Sequence, residues 1–386
     1  MVRGHGPNPN KKNKNVRAFQ RAEAAEREAL EREFAARLVE APELEQLVTA
    51  KDAREEDFHR WHRYRQGFAP ALVRSFLETA FPVGGPILDP FSGSGTVVTE
   101  CARRRSSAVG VDALASLVAV ANARFGEIPP AWPELPETDD PKAMMEAATH
   151  PQHRAAVLLA EAGAVDGEGR RLRGLEPLGE RVRRILTMMA EDLRVPLRGE
   201  AKVIHGDARA LPFERASIGG ILTSPPYLAR YDYARINAPL ERLLPASPGG
   251  APEKKALVRS STERGAKGPA QSPHPAVAEC IERLTEDGDR DLANVARAYF
   301  ADMGRAIAEC GRVAAPGAPF WLNVAGADLK RVYVPADLIL ASVAEDSGFE
   351  VEEIRVARRL RSQWRRLGDI EESAPREVVI LLRKEG

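Results

Sequence analysis

Two short segments hold residue types whose spacing could do chemistry. In Thr223, Ser224, Pro225, Pro226 and Tyr227, the paired prolines fix the backbone and remove amide donors, leaving carbonyl oxygens to accept from an incoming amino group. Ser224 adds a hydroxyl acceptor, and Tyr227 offers a ring on which a planar base can stack. Such a cage suits an NH2 group. The second segment, Asp89 to Thr96 (DPFSGSGT), is a glycine-rich turn between a short apolar strand and a helix. Gly93 and Gly95 permit close backbone approach there, so that amides and a helix amino terminus face a ligand. A glycine-rich turn alone fits many nucleotide sites. Two further acids sharpen it: Asp112, which ends the strand candidate SAVGVD, and Asp207 in HGDAR. The first can accept both hydroxyls of a ribose, and the second an amino proton from an adenine. The phosphate loop GxxxxGK[ST] does not occur, so a triphosphate is not the expected ligand.

These residues need a sheet to bring them together, and the chain alternates strand and helix patterns as an α/β protein with a mostly parallel sheet does. Seven strands are expected, at residues 86–88, 108–111, 201–204, 218–222, 319–324, 349–356 and 377–382. Helices are expected at residues 70–80, 97–104, 114–125, 178–193, 292–312 and 335–347. Residues 126–197 are longer than a crossover requires and read as a helical insertion. Residues 245–275, rich in Pro, Gly, Ser and Lys, read as a mobile loop. At the amino-terminal end, residues 1–17 read as a disordered basic tail, and 18–57 as a helical arm. The remainder, 58–386, is the expected catalytic domain.

The chain has 386 residues, 44% hydrophobic and 29% charged, with a formal net charge of zero. This is the composition of a globular protein, and bulk charge announces no nucleic-acid partner. No apolar run is long enough to span a bilayer, and the first residues lack a signal-peptide core, so a cytoplasmic protein is expected. Cys101, Cys280 and Cys310 show no paired metal spacing. His59 and His62 lie three apart with no third ligand, and read as an exposed helical face rather than a metal site. Local charge says more. The stretch from Arg355 to Arg366 holds six arginines, one tryptophan and no acid, as a phosphate-tracking surface would. Arg358, Arg361 and Arg365 are its candidates for nucleic-acid contact, and Arg230, Tyr231, Tyr233 and Arg235 stand beside the amino cage.

DPFSGSGT, the strand ending in Asp112, GDAR and TSPPY together resemble the ordered motifs of S-adenosylmethionine-dependent DNA amino-methyltransferases. The resemblance runs from about Phe58 to Lys384 and implies a Rossmann-like class I methyltransferase fold. It implies that Asp89, Phe91, Ser92, Gly93 and Gly95 line the methionine portion of the cofactor, Asp112 the ribose and Asp207 the adenine. Phe68, just before the first strand, is a further candidate. Ser224, Pro225, Pro226 and Tyr227 would hold a base flipped out of DNA. No metal is expected. In this family SPPY is associated mainly with cytosine N4 and DPPY or NPPY with adenine N6, so Ser224 favours cytosine. A companion restriction endonuclease and an association with the nucleoid are the expectations that accompany it. One departure is that the glycine-rich motif precedes TSPPY, whereas many cytosine-N4 enzymes have the reverse order. The order here, with GDARALPF, also resembles transfer-RNA guanine-N2 methyltransferases, which keeps RNA as a second reading. A degenerate methyltransferase fold acting as a DNA-binding scaffold is the non-enzymatic one.

Overall fold

A computed structural model describes residues 24–50, 55–62, 67–80, 82–129, 131–132, 135–166, 169–195, 197–244, 257–260, 274–330, 332–360 and 375–386. The expected tail, Arg361, Arg365 and most of the 245–275 loop lie outside them. Among the described residues no helix is long and apolar enough to cross a membrane.

All seven expected strands form: β2 (Ile87–Asp89), β3 (Ala108–Asp112), β4 (Ala201–His205), β5 (Gly220–Thr223), β6 (Pro319–Ala325), β9 (Phe349–Arg359) and β10 (Arg376–Lys384). The arm adds an eighth. Residues expected to be helical contain β1 (Leu38–Glu40), which pairs in parallel with β9. Three residues are too few to register as a strand by periodicity, and it is the pairing partner that extends them. The sheet order is β1-β9-β10-β6-β5-β2-β3-β4, parallel except where β10 runs antiparallel between β9 and β6. A separate hairpin joins β7 (Ala327–Leu329) to β8 (Val332–Val334).

The chain runs outward from β2 through β3 to β4, then returns to the other side of β2 as β5. That reversal opens a crevice at the carboxyl ends of β2 and β5, where ligands sit in open α/β sheets. DPFSGSGT leaves β2 at this point, and TSPPY leaves β5.

Helices cover both faces, as buried strands such as β6, buried all along PFWLNVA, require. One face carries α9 (Pro275–Glu286), α10 (Arg290–Val313) and α11 (Ala336–Glu345), with Val277, Tyr299 and Ile339 in its core. The arm helix α1 (Ala25–Phe34) joins this layer through Leu30 and Phe34. The other face carries α2 (Pro70–Thr79), α3 (Thr96–Arg103) and α4 (Ala115–Asn122). The insertion supplies α5 (Pro141–Ala147), α6 (Pro151–Ala162) and α7 (Leu178–Asp192). These form a third core around Met144, Leu158 and Val182, into which Phe58 and Trp61 are packed.

Two helices were not expected. In α8 (Tyr233–Glu241), Pro239 sits inside the helix and hides the pattern, while the Asp232 side chain caps the start by accepting from the Arg235 amide at 2.9 Å. In α9, Pro275 occupies the first turn at the end of the polar loop, a position proline tolerates. His59 departs from expectation as well. It lies in a short 3-10 turn, buried, with Nε2 3.0 Å from Glu100 Oε1.

Candidate active site

Asp89 ends β2 beside β5, and the two strands register through Leu88 and Ile221. The residue is 3% exposed, and its carboxyl accepts from the Thr223 hydroxyl at 2.6 Å and the Phe91 amide at 3.1 Å. The first residue of TSPPY is thereby hydrogen-bonded to the first residue of DPFSGSGT. Burial pushes the Asp89 carboxyl up to about 7, against the opposing pull of those two hydrogen bonds. Asp112, at the end of β3, accepts from the Gly93 amide at 2.7 Å and the Leu114 amide at 2.9 Å. Burial raises it to about 6.

One cleft is walled by Phe68, Asp89, Phe91, Ser92, Gly93, Asp112 and Asp207, together with Ser224 and Pro226 of the cage. Gly95 stands behind it as the residue preceding α3. Its φ of +86° and the place of its missing Cβ, 2.9 Å from the Ala121 methyl, both require glycine. Pro225 is buried. Asp207 is gripped by Arg209, whose Nε and Nη2 donate to it at 2.7 to 3.1 Å, and Arg209 also meets the buried Asp302 at 3.0 Å. A carboxylate has lone pairs beyond those this arginine uses.

The cleft suits a nucleoside carrying a positively charged tail. Ser92 Oγ is buried on its wall without a hydrogen-bond partner, and two carboxyls stand at successive strand ends. Among the described residues no group of His, Cys, Asp and Glu could hold a metal ion, and the three cysteines are buried and free.

At the cage, Ser224 Oγ lies 3.5 Å from Asn323 Nδ2 on β6 and 3.4 Å from the Tyr227 hydroxyl. Asn323 Oδ1 is buried without a partner. The Tyr227 hydroxyl donates to Glu377 Oε1 at 3.0 Å, and its ring carries the Arg230 guanidinium 5.7 Å from the centroid. Tyr227 faces a second cavity with Arg230, Tyr231 and Arg358. Arg235 is exposed on α8 and borders neither cavity.

Sequence reasoning missed several residues that hold the site. Arg124 is wholly buried beneath the glycine turn, where it donates to the Ser94 and Phe58 carbonyls and lies over the Trp61 ring at 5.5 Å. A lone arginine at the end of the apolar stretch LASLVAVANARF was the available signal. Glu377, an acid beginning the apolar strand REVVILL, was another. Leu257 and Val258, from the loop, line the cleft opposite the sheet. The backbone amide and guanidinium of the adjacent Arg259 tie that loop to Asp302 on α10 at 2.8 to 3.2 Å.

No family model matches. Over 160 residues, 37% of this chain and 33% of the relative, it is 28% identical to the Type II methyltransferase M.AvaI of a Nostoc strain. A stretch of 66 residues is 41% identical to the Type II methyltransferase M.MjaII of Methanocaldococcus jannaschii, covering 17% of this chain and 12% of that one. M.BsoBI of Geobacillus stearothermophilus, also a Type II methyltransferase, is 35% identical over 69 residues, 18% and 14% of the two chains. The chain is similar to Type II methyltransferases. It spans at most a third of the length of these curated relatives. Among solved structures, an S-adenosylmethionine-dependent methyltransferase from Methanosarcina mazei aligns with 80% of this chain and 97% of its own, at 12% identity and a TM-score of 0.33.

Proposed function

We propose that this protein transfers a methyl group from S-adenosylmethionine to the exocyclic N4 amino group of cytosine in DNA. The carrying observation is the placement of Ser224, Pro225 and Pro226 at the end of β5, directly beside the cleft walled by Asp89, Asp112 and Asp207. The similarity to Type II methyltransferases supports DNA as substrate.

When bound, the cofactor supplies an electrophilic methyl group on a sulfonium. The chain's residues bind and orient both reactants. Asp112 accepts from ribose hydroxyls, Asp207 from the adenine amino group, and Asp89, ionised, balances positive charge. Phe68 and Phe91 pack against the cofactor, and Ser92, Gly93 and Gly95 shape the turn that holds its methionine portion. A base amino lone pair is delocalised into its ring. Hydrogen bonds from the amino group to Ser224 Oγ and to a carbonyl of the Ser224–Pro225 turn localise that pair on nitrogen. Positioning then contributes most of the acceleration. Asn323, whose amide reaches Ser224 Oγ, fixes the hydroxyl's direction. Because a base inside a duplex cannot reach this cage, the target is flipped out.

The test is to incubate the protein with methyl-labelled S-adenosylmethionine and either unmethylated bacterial genomic DNA or transfer RNA, then identify the labelled nucleoside. N4-methylcytosine in DNA is the expected product. N6-methyladenine would overturn the choice of base, and label confined to RNA the choice of nucleic acid. Ser224→Ala is expected to lower turnover about tenfold to a hundredfold, as loss of one hydrogen bond to the reacting group does, with cofactor affinity kept. Weakened cofactor binding in that variant would contradict the assignment.

A further inference from the structure

The second cavity adjoins the cofactor cleft, with Gly67 and Tyr233 bordering both. Its walls carry Tyr227, Tyr231, Arg230, Arg358 and Glu377. Glu377 is 3% exposed at the start of β10, a position where a carboxylate is costly unless paired. Its two oxygens are divided. Oε1 accepts from the Tyr227 hydroxyl at 3.0 Å, and Oε2 from Arg358 Nε at 2.6 Å. Arg358 stands directly opposite it on β9. A continuous line of contacts thus runs from Ser224 Oγ through Tyr227 and Glu377 to the Arg358 guanidinium.

The two ends of that line differ in polarity: Ser224 Oγ can accept, and the Arg358 guanidinium donates. If the reacting amino group sits at Ser224, the guanidinium is the group that meets the far end of the same edge. Arginine only donates, so it needs an acceptor there. Cytosine presents its O2 carbonyl two ring positions from the carbon bearing N4. Adenine presents a C–H at the equivalent position.

We propose that Arg358, clamped by Glu377, recognises a carbonyl oxygen two ring positions from the methylated amino group, so that the second cavity accepts cytosine and rejects adenine. This rests on the reading of the site as a base amino-methyltransferase. It also changes the role of Arg358, which the sequence places on a phosphate-tracking surface. A site built to hydrogen-bond a substrate group discriminates against an analogue that lacks it; with adenine the half-buried guanidinium would keep Glu377 but lose its second acceptor. The fork geometry matters as well as the charge.

The experiment compares the wild-type chain with R358A, R358K and E377Q, using labelled S-adenosylmethionine and unmethylated bacterial genomic DNA. It reads kcat/KM, the ratio of N6-methyladenine to N4-methylcytosine, and cofactor Kd by calorimetry. R358A is expected to lose about tenfold to a hundredfold in kcat/KM, the discrimination carried by one good base contact, with cofactor Kd unchanged and the adenine share increased. R358K keeps the charge but not the fork and is expected to recover little. E377Q leaves the guanidinium present but unclamped and is expected to fall between. If R358A makes N4-methylcytosine at the wild-type rate and ratio, the role of Arg358 is overturned while the cytosine reading stands. If the wild type makes N6-methyladenine, both are overturned.

Discussion

At the scale of single residues, the two strand-end acids set how the cofactor cleft responds to pH. Asp89 at about 7 and Asp112 at about 6 both lie above the ordinary carboxyl value because they are buried. In the folded protein they hold protons that the unfolded chain has released. Stability of the cofactor-free protein is therefore greatest at acid pH from these groups, and declines as pH rises from about 4 through 7. Asp89→Asn keeps an oxygen for the Thr223 hydroxyl and removes the buried charge. It is expected to raise the cofactor-free melting temperature at pH 8, with little change at pH 4, as calorimetry at the two pH values will show. Cofactor binding has the opposite sign. An acid that must be ionised to bind weakens affinity by about tenfold per pH unit below its own value, so wild-type Kd is expected to rise steeply below pH 7. Affinity flat from pH 8 to 5 would argue against an ionised carboxyl at either position. The residues of this cleft were legible because their chemistry is written in short motifs. Arg124 and Glu377 were not, because a charge inside an apolar run announces burial without naming the distant backbone or side chain that meets it.

Among the elements, the sheet was readable from its alternation of apolar runs and helical patterns, and all seven proposed strands occur. What failed had local causes. Proline within α8 masks its period, and β1 is three residues long and acquires its conformation from β9. Pairing across more than 300 residues leaves no trace in a local window. The loop between α8 and α9 carries a consequence of its own. Asp302 on α10, held down to about 2 by its arginine partners against the effect of burial, receives Arg259 from that loop, Arg209 from the Asp207 turn and Arg305 from its own helix. One carboxylate therefore holds two walls of the cofactor cleft. Asp302→Asn is expected to raise cofactor Kd by about tenfold, as loosening a charged hydrogen-bond hub does, while kcat at saturating cofactor changes less. A fall in kcat with Kd unchanged would show that the hub serves the transfer cage instead.

Over the whole molecule, the arm is built into the body rather than appended to it. Glu31 on α1 pairs with Arg376 on β10 at 2.7 Å, and Arg376 reaches the buried Asp337 on α11 at 2.9 Å. Arg37 meets Glu345 of α11 at 2.5 Å. Glu31→Ala removes one of the two carboxylates on Arg376 and leaves Asp337 in place, so it is expected to cost only about 1 kcal/mol, the worth of a partly exposed pair. Denaturant melts of the variant and of the Glu31→Gln control will separate charge from packing.

The strand β1 has one more effect. Leu38 to Glu40 satisfy the backbone of Ile354 to Val356, and a few residues further along β9 stands Arg358, while Val48 and Thr49 of the same arm close the second cavity from its other side. A variant lacking the arm would present an uncapped ladder to its neighbours, the geometry that recruits a foreign strand. The same deletion would remove Val48 and Thr49 from the wall of the second cavity, the one proposed above to receive the base. On the proposed reading, colloidal behaviour and fidelity of base choice are coupled through one short ribbon, and a truncation selected for either would disturb both.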